Sequence, residues 1–506
     1  MQRLAAIFKS ALVLCLLFLD LAACVHANSL NAQKQTPVVL WYAPFLSGGG
    51  YCSEAHSYVT SISAALHSIE DAVIHQVLGD DQKDEDAGST TGDHADSSSQ
   101  AHDQQQQNED LADAIPFSLF VTQHGDSFNA AFIRDIPPEM HELLKEHWIE
   151  PRDFHWRLRD RKIAIAVCHS EPGAWHPAHY STSRCPPEGA QYTVGRTMFE
   201  TDRVPSGWPD RMNAMDEIWV PTRFQEKVFV DGGVRPEAIQ VVPEAVDVAF
   251  FDPQRVIAKY DLASEMPGSG VTEATKVFLS IFKWEERKAW RVLLKGYFEA
   301  FAKDDNVLLV LLTNAYHSES ESTQDFMGLI ENFALEAVGK PLSELPRLHV
   351  LPPQIPQKVL PTVYKAATAF VLPSRGEGWG RPHVEAMAME LPVIATFWSG
   401  TTEYMTDENS YPLRIDGLVE ITEGAFRGHK WATPSAEHLK ELLIHVTKHP
   451  EEAIAKGKRA REDMIAKYSP DVIGRIILSH IERILKHVKK QQEETSSNDD
   501  KDHDEL

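Results

Sequence analysis

Apolar residues in this chain gather into short unbroken runs separated by longer stretches of mixed polarity. Pro37–Tyr42, Phe117–Thr122, Ile163–Val167, Glu217–Val220 and Ile239–Val242 mark the first half. Val277–Ile281, Val307–Leu312, Leu348–Leu351, Ala369–Leu372 and Val393–Ala395 mark the second. Runs that lack polar alternation predict strands covered on both faces, the condition of a parallel sheet flanked by helices. Helical patterns follow from Ser53 to about Leu78, from Thr222 to a Gly232-Gly233 stop, and from Pro470 to about Lys490. The strand-helix alternation occurs twice, broken at Leu262–Gly270, which reads as a linker. The fold class is therefore α/β, with doubly wound Rossmann-like domains at 37–255 and 271–468, a terminal helix at 470–490 and a tail at 491–506. Open parallel sheets bind ligands beyond the carboxyl ends of their strands, so a cleft is expected between the two.

Polar composition changes this picture in two places. Residues 79–114 are rich in Asp, Ser, Gln and Gly, too poor in apolar surface to order themselves, and read as a disordered acidic insertion within the first domain. Much of the net charge of −25 falls in that insertion and in the tail from Glu493, so the folded part is only mildly acidic. Nothing points to nucleic acid as a partner.

Residues 1–27 carry Arg3 and Lys9, an apolar run from Ala11 to Leu19, and Val25-His26-Ala27, the pattern of a secretory signal peptide. The apolar run falls short of the roughly 20 residues a membrane span needs, so no span is expected after cleavage. His503-Asp504-Glu505-Leu506 matches an endoplasmic reticulum (ER) retrieval signal and implies a retrieval receptor as partner. The two signals agree on the ER lumen. Cys52, Cys168 and Cys185 follow the signal peptide. Cys168 with Cys185 is a possible pair, and free buried thiols are the reading preferred here. No Asn-x-Ser/Thr sequon occurs.

The most informative stretch is Ser374-Arg375-Gly376-Glu377-Gly378-Trp379-Gly380-Arg381-Pro382-His383-Val384-Glu385. It follows the strand at Ala369 and enters a helical run. Glycines free the backbone to approach a ligand, and a helix N-terminus favours phosphate. The spacing of Glu377 and Glu385, with Leu391–Thr396 and Ser399-Gly400-Thr401-Thr402-Glu403 after them, resembles the retaining glycosyltransferases of the GT-B fold, family four (glycosyl transferases group 1). The resemblance implies that Glu377 approaches the donor sugar near its reacting carbon and that Glu385 binds the nucleotide ribose. It also implies that the terminal helix crosses back to the first domain.

Lys283 and Lys288 lie five apart after the second domain's first strand. Two such cations can converge on a diphosphate whose charge grows as its bond to the sugar breaks. The family has an arginine where Lys283 stands, and Lys288 fits its lysine. His169 ends a strand and opens a first-domain loop, and the resemblance gives it a catalytic place beside the donor sugar. Glu171 is a weaker candidate on the acceptor side. Gly49, within Gly48-Gly49-Gly50, joins Gly378 and Gly380 as donor-binding positions. Phe199-Glu200-Thr201-Asp202-Arg203-Val204-Pro205 resembles a family motif near the acceptor cleft, with no chemistry attached. Two Asp-x-Asp matches, at 84–86 and 502–504, sit in acidic low-complexity tracts and are discounted as metal sites.

The expectation is an ER-lumenal hexosyltransferase. It would move a sugar from a nucleotide-sugar donor to a glycan, protein or lipid acceptor with retention of configuration, without a cofactor or required metal. A catalytically inactive GT-B glycan-binding protein is the alternative.

Overall fold

The computed structural model describes residues 36–79, 117–125, 127–158, 161–315, 325–352 and 355–503. The expected signal peptide, almost all of the expected insertion, and Asp504, Glu505 and Leu506 lie outside them.

The first sheet contains β1 (Val38–Ala43), β2 (Ser118–Gln123), β3 (Ile163–His169), β4 (Tyr192–Arg196), β5 (Glu217–Val220) and β6 (Ile239–Val241). Its order is β2-β1-β3-β4-β5-β6, with every neighbouring pair parallel. Strand β1 shows why its run lacks alternation. Val39, Trp41 and Ala43 enter one apolar cluster and Val38, Leu40 and Tyr42 the other, so both faces are covered. Helix α1 (Gly50–Gly79) begins three residues before the expected start, after a left-handed Gly48 with φ of 70°. Helix α2 (Arg223–Asp231) is capped by Thr222, whose hydroxyl oxygen accepts from the Gln225 amide at 3.2 Å. Strand β4 had no counterpart in the sequence reading, because Tyr192-Thr193-Val194-Gly195-Arg196 is not an apolar run.

The second sheet contains β7 (Lys276–Trp284), β8 (Val307–Ala315), β9 (Leu348–Val350), β10 (Ala369–Leu372), β11 (Val393–Thr396) and β12 (Tyr411–Leu413). The order is β12-β11-β10-β7-β8-β9, again parallel throughout. Helices α3 (Trp290–Ala300) and α4 (Arg381–Ala388) follow β7 and β10. An antiparallel hairpin of β13 (Ile415–Glu420) and β14 (Lys430–Pro434) reaches toward the first domain. There Asp202 and Lys430 exchange hydrogen bonds, from the Asp202 amide to the Lys430 carbonyl at 2.9 Å and from the Lys430 amide to Asp202 Oδ1 at 2.7 Å.

The last helix, α5 (Pro470–His503), runs past the Lys490 end that the sequence suggested. It packs on the first domain. A side chain on Gly474 would collide with the Ser61 carbonyl of α1, and Arg483 donates to both Glu217 oxygens at 2.7 Å. Cys168 and Cys185 form a disulfide, which corrects the preference for free thiols; Cys52 is free and buried. The disulfide joins β3 to a loop in which Thr182 and Ser183 contact His124 and Gly125. Among the described residues no helix is long and apolar enough to cross a membrane.

Candidate active site

The turn after β7, Glu286–Lys288, delivers two cations to the carboxyl edge of the second sheet. Lys288 Nζ donates to Glu377 Oε1 at 2.7 Å and Oε2 at 2.9 Å, and Arg287 Nη1 donates to Glu377 Oε2 at 3.0 Å. Glu377 is 5 % exposed. Burial by itself would raise its pKa, but Lys288, then Arg287 and His383, outweigh that effect and hold it at about 2. The carboxylate is thus ionised throughout the neutral range. Arg287 also meets Glu285 at 2.8 Å and, across the cleft, Glu200 at 3.6 Å. Burial opposes its charge, yet Glu200, Glu377 and Glu285 together raise its pKa further.

Glu385 lies on α4, one helical step from Arg381, whose Nε is 3.8 Å away. The Tyr364 hydroxyl donates to Glu385 Oε2 at 2.9 Å. Burial raises the Glu385 pKa against Arg381 and Tyr364. Helix α4 starts at Gly380, left-handed with φ of 102°, a conformation suited to glycine.

The donor-loop glycines also lie against the first domain. A side chain on Gly376 would strike the Glu200 carbonyl, and one on Gly378 would strike Met198 Sδ. Both neighbours belong to the first domain. Gln225 donates to the Gly378 carbonyl at 2.7 Å and to the Phe199 carbonyl at 3.1 Å. The buried Ser399, left-handed with φ of 67°, donates to the carbonyls of Glu377 at 2.9 Å and Glu200 at 3.2 Å. Gly378 therefore packs closely against the other half of the protein.

His169, to which the resemblance gives a catalytic place, ends β3. It is fully buried, and both ring nitrogens are engaged. The Trp41 indole N–H donates to Nδ1 at 3.2 Å, which leaves Nε2–H to donate to Glu54 Oε2 at 2.8 Å. Burial lowers the His169 pKa, against the pull of Glu54, so the ring is neutral and turned into the core. Glu54 in turn accepts from Arg196 Nε at 2.7 Å and from Arg196 Nη2. Trp175 is likewise buried, its indole bonded to Ser170. Lys283 remains on β7, paired in register with Asn314, and is exposed. Arg287, adjacent to Lys288, supplies the second cation to Glu377 in its place. The Gly49 amide donates to Ser47 Oγ at 3.2 Å within the first turn.

Sequence reasoning missed Arg287, Arg196, Glu244 and Arg381, and quoted Glu200 only within the Phe199–Pro205 segment, with no chemistry attached. Glu244 follows β6 and is 2 % exposed, with Oε2 at 3.6 Å from Arg381 Nη1. Arg196 Nη1, Glu244 Oε2 and Arg381 Nη1 are buried and make no hydrogen bond. Such polar atoms are the kind a polar ligand satisfies. Arg287 stood next to Lys288 in the quoted run, and charge density there was the available signal. Among the described residues, no cluster of His, Cys, Asp or Glu is gathered to hold a metal.

Two six-stranded parallel sheets, with this charge cluster at the carboxyl edge of the second, have the architecture of the GT-B fold seen in glycosyltransferases. Residues 275–421, which contain Arg287, Lys288, Glu377, Glu385 and Ser399, match the family model described as Glycosyl transferases group 1. The chain is a transferase enzyme that carries such a domain within its second half. A D-inositol 3-phosphate glycosyltransferase of Geodermatophilus obscurus is 25% identical over 353 residues, covering 66% of this chain and 73% of its own. The protein of the same description from Nocardia farcinica is 23% identical, covering 53% of this chain and 54% of its own. A glycosyltransferase crystal structure from Rickettsia africae shares the fold with a TM-score of 0.56 at 13% identity, covering 89% of this chain and 99% of that one. Anabaena Alr3699/HepE in complex with UDP and glucose does so with a TM-score of 0.52 at 12% identity, covering 88% and 99%.

Proposed function

We propose that the enzyme transfers a hexose from a nucleotide-sugar donor, held by the second domain, to an acceptor presented from the first, with retention of anomeric configuration. The observation that carries this reading is the convergence of Lys288 and Arg287 on the buried, ionised Glu377. Two cations at the carboxyl edge of a parallel sheet suit a diphosphate leaving group. Glu385 on α4 is suited to hold the ribose. The UDP and glucose bound in the Anabaena structure support a nucleotide-sugar donor, and the relatives' names support glycosyl transfer.

In the reaction the bond from the anomeric carbon to the departing phosphate oxygen breaks, and the acceptor oxygen bonds to that carbon on the same face. The acceptor proton passes to the phosphate oxygen as it leaves. Lys288 and Arg287 stabilise the charge that grows on the diphosphate, and Glu377 steadies the electron-poor anomeric carbon. His169 has a positioning role through Glu54 and Arg196. No cofactor is required. The ER lumen is the proposed location, supported by the N-terminal apolar run, the His503–Leu506 sequence and a disulfide suited to an oxidising compartment.

Thermal stability measured against a panel of nucleotide sugars tests the donor reading, because a ligand that binds the folded state raises the melting temperature. A shift with one donor, lost in Glu385→Ala and Lys288→Ala, is expected. A folded wild type that no donor shifts would overturn the reading and favour the inactive glycan-binding alternative.

A further inference from the structure

The segment from Met198 to Asp202 leaves β4 in the first domain, crosses the cleft and lies on the donor loop of the second. Its backbone is held there from several directions. The Tyr51 hydroxyl donates to the Met198 carbonyl at 3.2 Å, and Ser399 donates to the Glu200 carbonyl at 3.2 Å. Thr201 Oγ1 meets His429 Nδ1 at 2.8 Å, and Asp202 pairs with Lys430. This anchoring fixes Glu200 over the cation pair. Its carboxylate is 3.6 Å from Arg287 Nη1, the same nitrogen that donates to Glu377 and to the Gly376 carbonyl.

Three carboxylates, from Glu200, Glu285 and Glu377, share Arg287, and Glu377 also occupies Lys288. Glu200 alone among the three comes from the first domain. Glu285 and Glu377 hold Arg287 at 2.8 and 3.0 Å with their side chains 16% and 7% exposed. Glu200 makes the longest contact and is 28% exposed, so it is the carboxylate most easily displaced by an incoming anion. An anion entering at Arg287 and Lys288 must compete with it.

Resting on the glycosyltransferase reading above, we propose that Glu200 is a positioning residue of the diphosphate site, contributed by the first domain, that competes with the donor's diphosphate for Arg287. A diphosphate reaches both cations and displaces Glu200. A nucleoside monophosphate, with a single phosphate, reaches fewer charges and leaves Glu200 in place. Glu200 thereby helps to select diphosphate over monophosphate and ties the position of the first-domain segment to occupancy of the site.

Calorimetric titration of UDP, GDP and ADP, each beside its monophosphate, into wild type, Glu200→Gln and Glu200→Asp tests this. In Glu200→Gln the diphosphate that binds wild type should bind about two- to fivefold more tightly, the scale of a partly exposed ion pair, while its monophosphate keeps its affinity. Glu200→Asp retains the charge on a shorter stem and should fall between the two. Unchanged diphosphate affinity in both variants would overturn the proposal. An equal shift for diphosphate and monophosphate would overturn it too, because it would make the segment's packing the cause. Those results leave the donor site itself intact. If none of the three diphosphates binds wild type, the transferase reading fails, and this proposal with it.

Discussion

Lys288 Nζ sits 2.7 and 2.9 Å from the two oxygens of Glu377, a double contact between residues 89 positions apart that joins the ends of two adjacent strands, β7 and β10. A lysine so placed cannot be replaced by a neutral residue without leaving a buried carboxylate short of charge. Lys288→Ala should lower kcat/KM by about a hundredfold or more, the scale seen when one stabiliser of transition-state charge is removed. Steady-state kinetics with donor varied would show it. Lys288→Arg should recover part of the loss, and equal loss in both variants would argue for shape over charge.

Acid should act on the same pair. The folded-state pKa of Glu377 is about 2, below the ordinary 4.5, so its ionised form stabilises the fold above pH 4.5. That contribution is lost as pH falls toward 2. Melting temperature followed from pH 7 to pH 2 should therefore decline more steeply in wild type than in Glu377→Gln across this window. Glu54, also held at about 2 by Arg196 and His169 against burial, declines in both proteins and cancels in the comparison. Parallel curves would show that Glu377 carries no such linkage.

Gly378 offers a test of the closeness of the two halves. A methyl group there would meet Met198 at its sulfur and Cγ, across the cleft. The Met198 side chain is flexible and can swing aside, so Gly378→Ala should cut turnover only about two- to fivefold while each domain keeps its fold. Steady-state activity checks this. Met198→Ala combined with Gly378→Ala should restore much of the activity, and failure to do so would place the defect elsewhere.

The Cys168–Cys185 bridge closes a separation of 17 residues. Replacing both cysteines by serine should cost about 3 kcal/mol of stability on the chain-entropy account. Denaturant unfolding under non-reducing conditions measures it. Wild type treated with a reductant should fall to the same midpoint.

His169 separates a structural from a catalytic role. With both ring nitrogens engaged and no exposed surface, His169→Asn should lower stability before it lowers kcat. A variant that melts like wild type but turns over about a hundredfold more slowly would restore the catalytic assignment.

Much of the fold was readable because buried parallel strands write themselves as apolar runs. The pattern failed where a strand was covered by its neighbours and yet not apolar, as in β4, whose last residue, Arg196, is buried against Glu54. At the site, Glu377, Glu385 and Lys288 were singled out through their spacing and the family resemblance, all within one domain. Lys283 looked like loop and is still strand, because β7 continues to Trp284. Glu200 and Glu244 come from the other domain, and spacing along a chain carries no measure of distance across a cleft. The glycines of the donor loop were read as room for a ligand, and two of them, Gly376 and Gly378, also make room for protein.

The packing of α5 on α1 and β5 has a consequence for how the protein is made. Ser61 and Glu217 belong to the part of the chain that is synthesised first, and the residues that cover them, Gly474 and Arg483, follow only after the whole second sheet. The amino-terminal half therefore emerges with one flank unsealed, and stays so until translation of the other half is complete. Truncation anywhere before residue 470 would leave that flank bare, so a nascent chain stalled late in synthesis is a client for chaperones even though most of its sequence has already been translated.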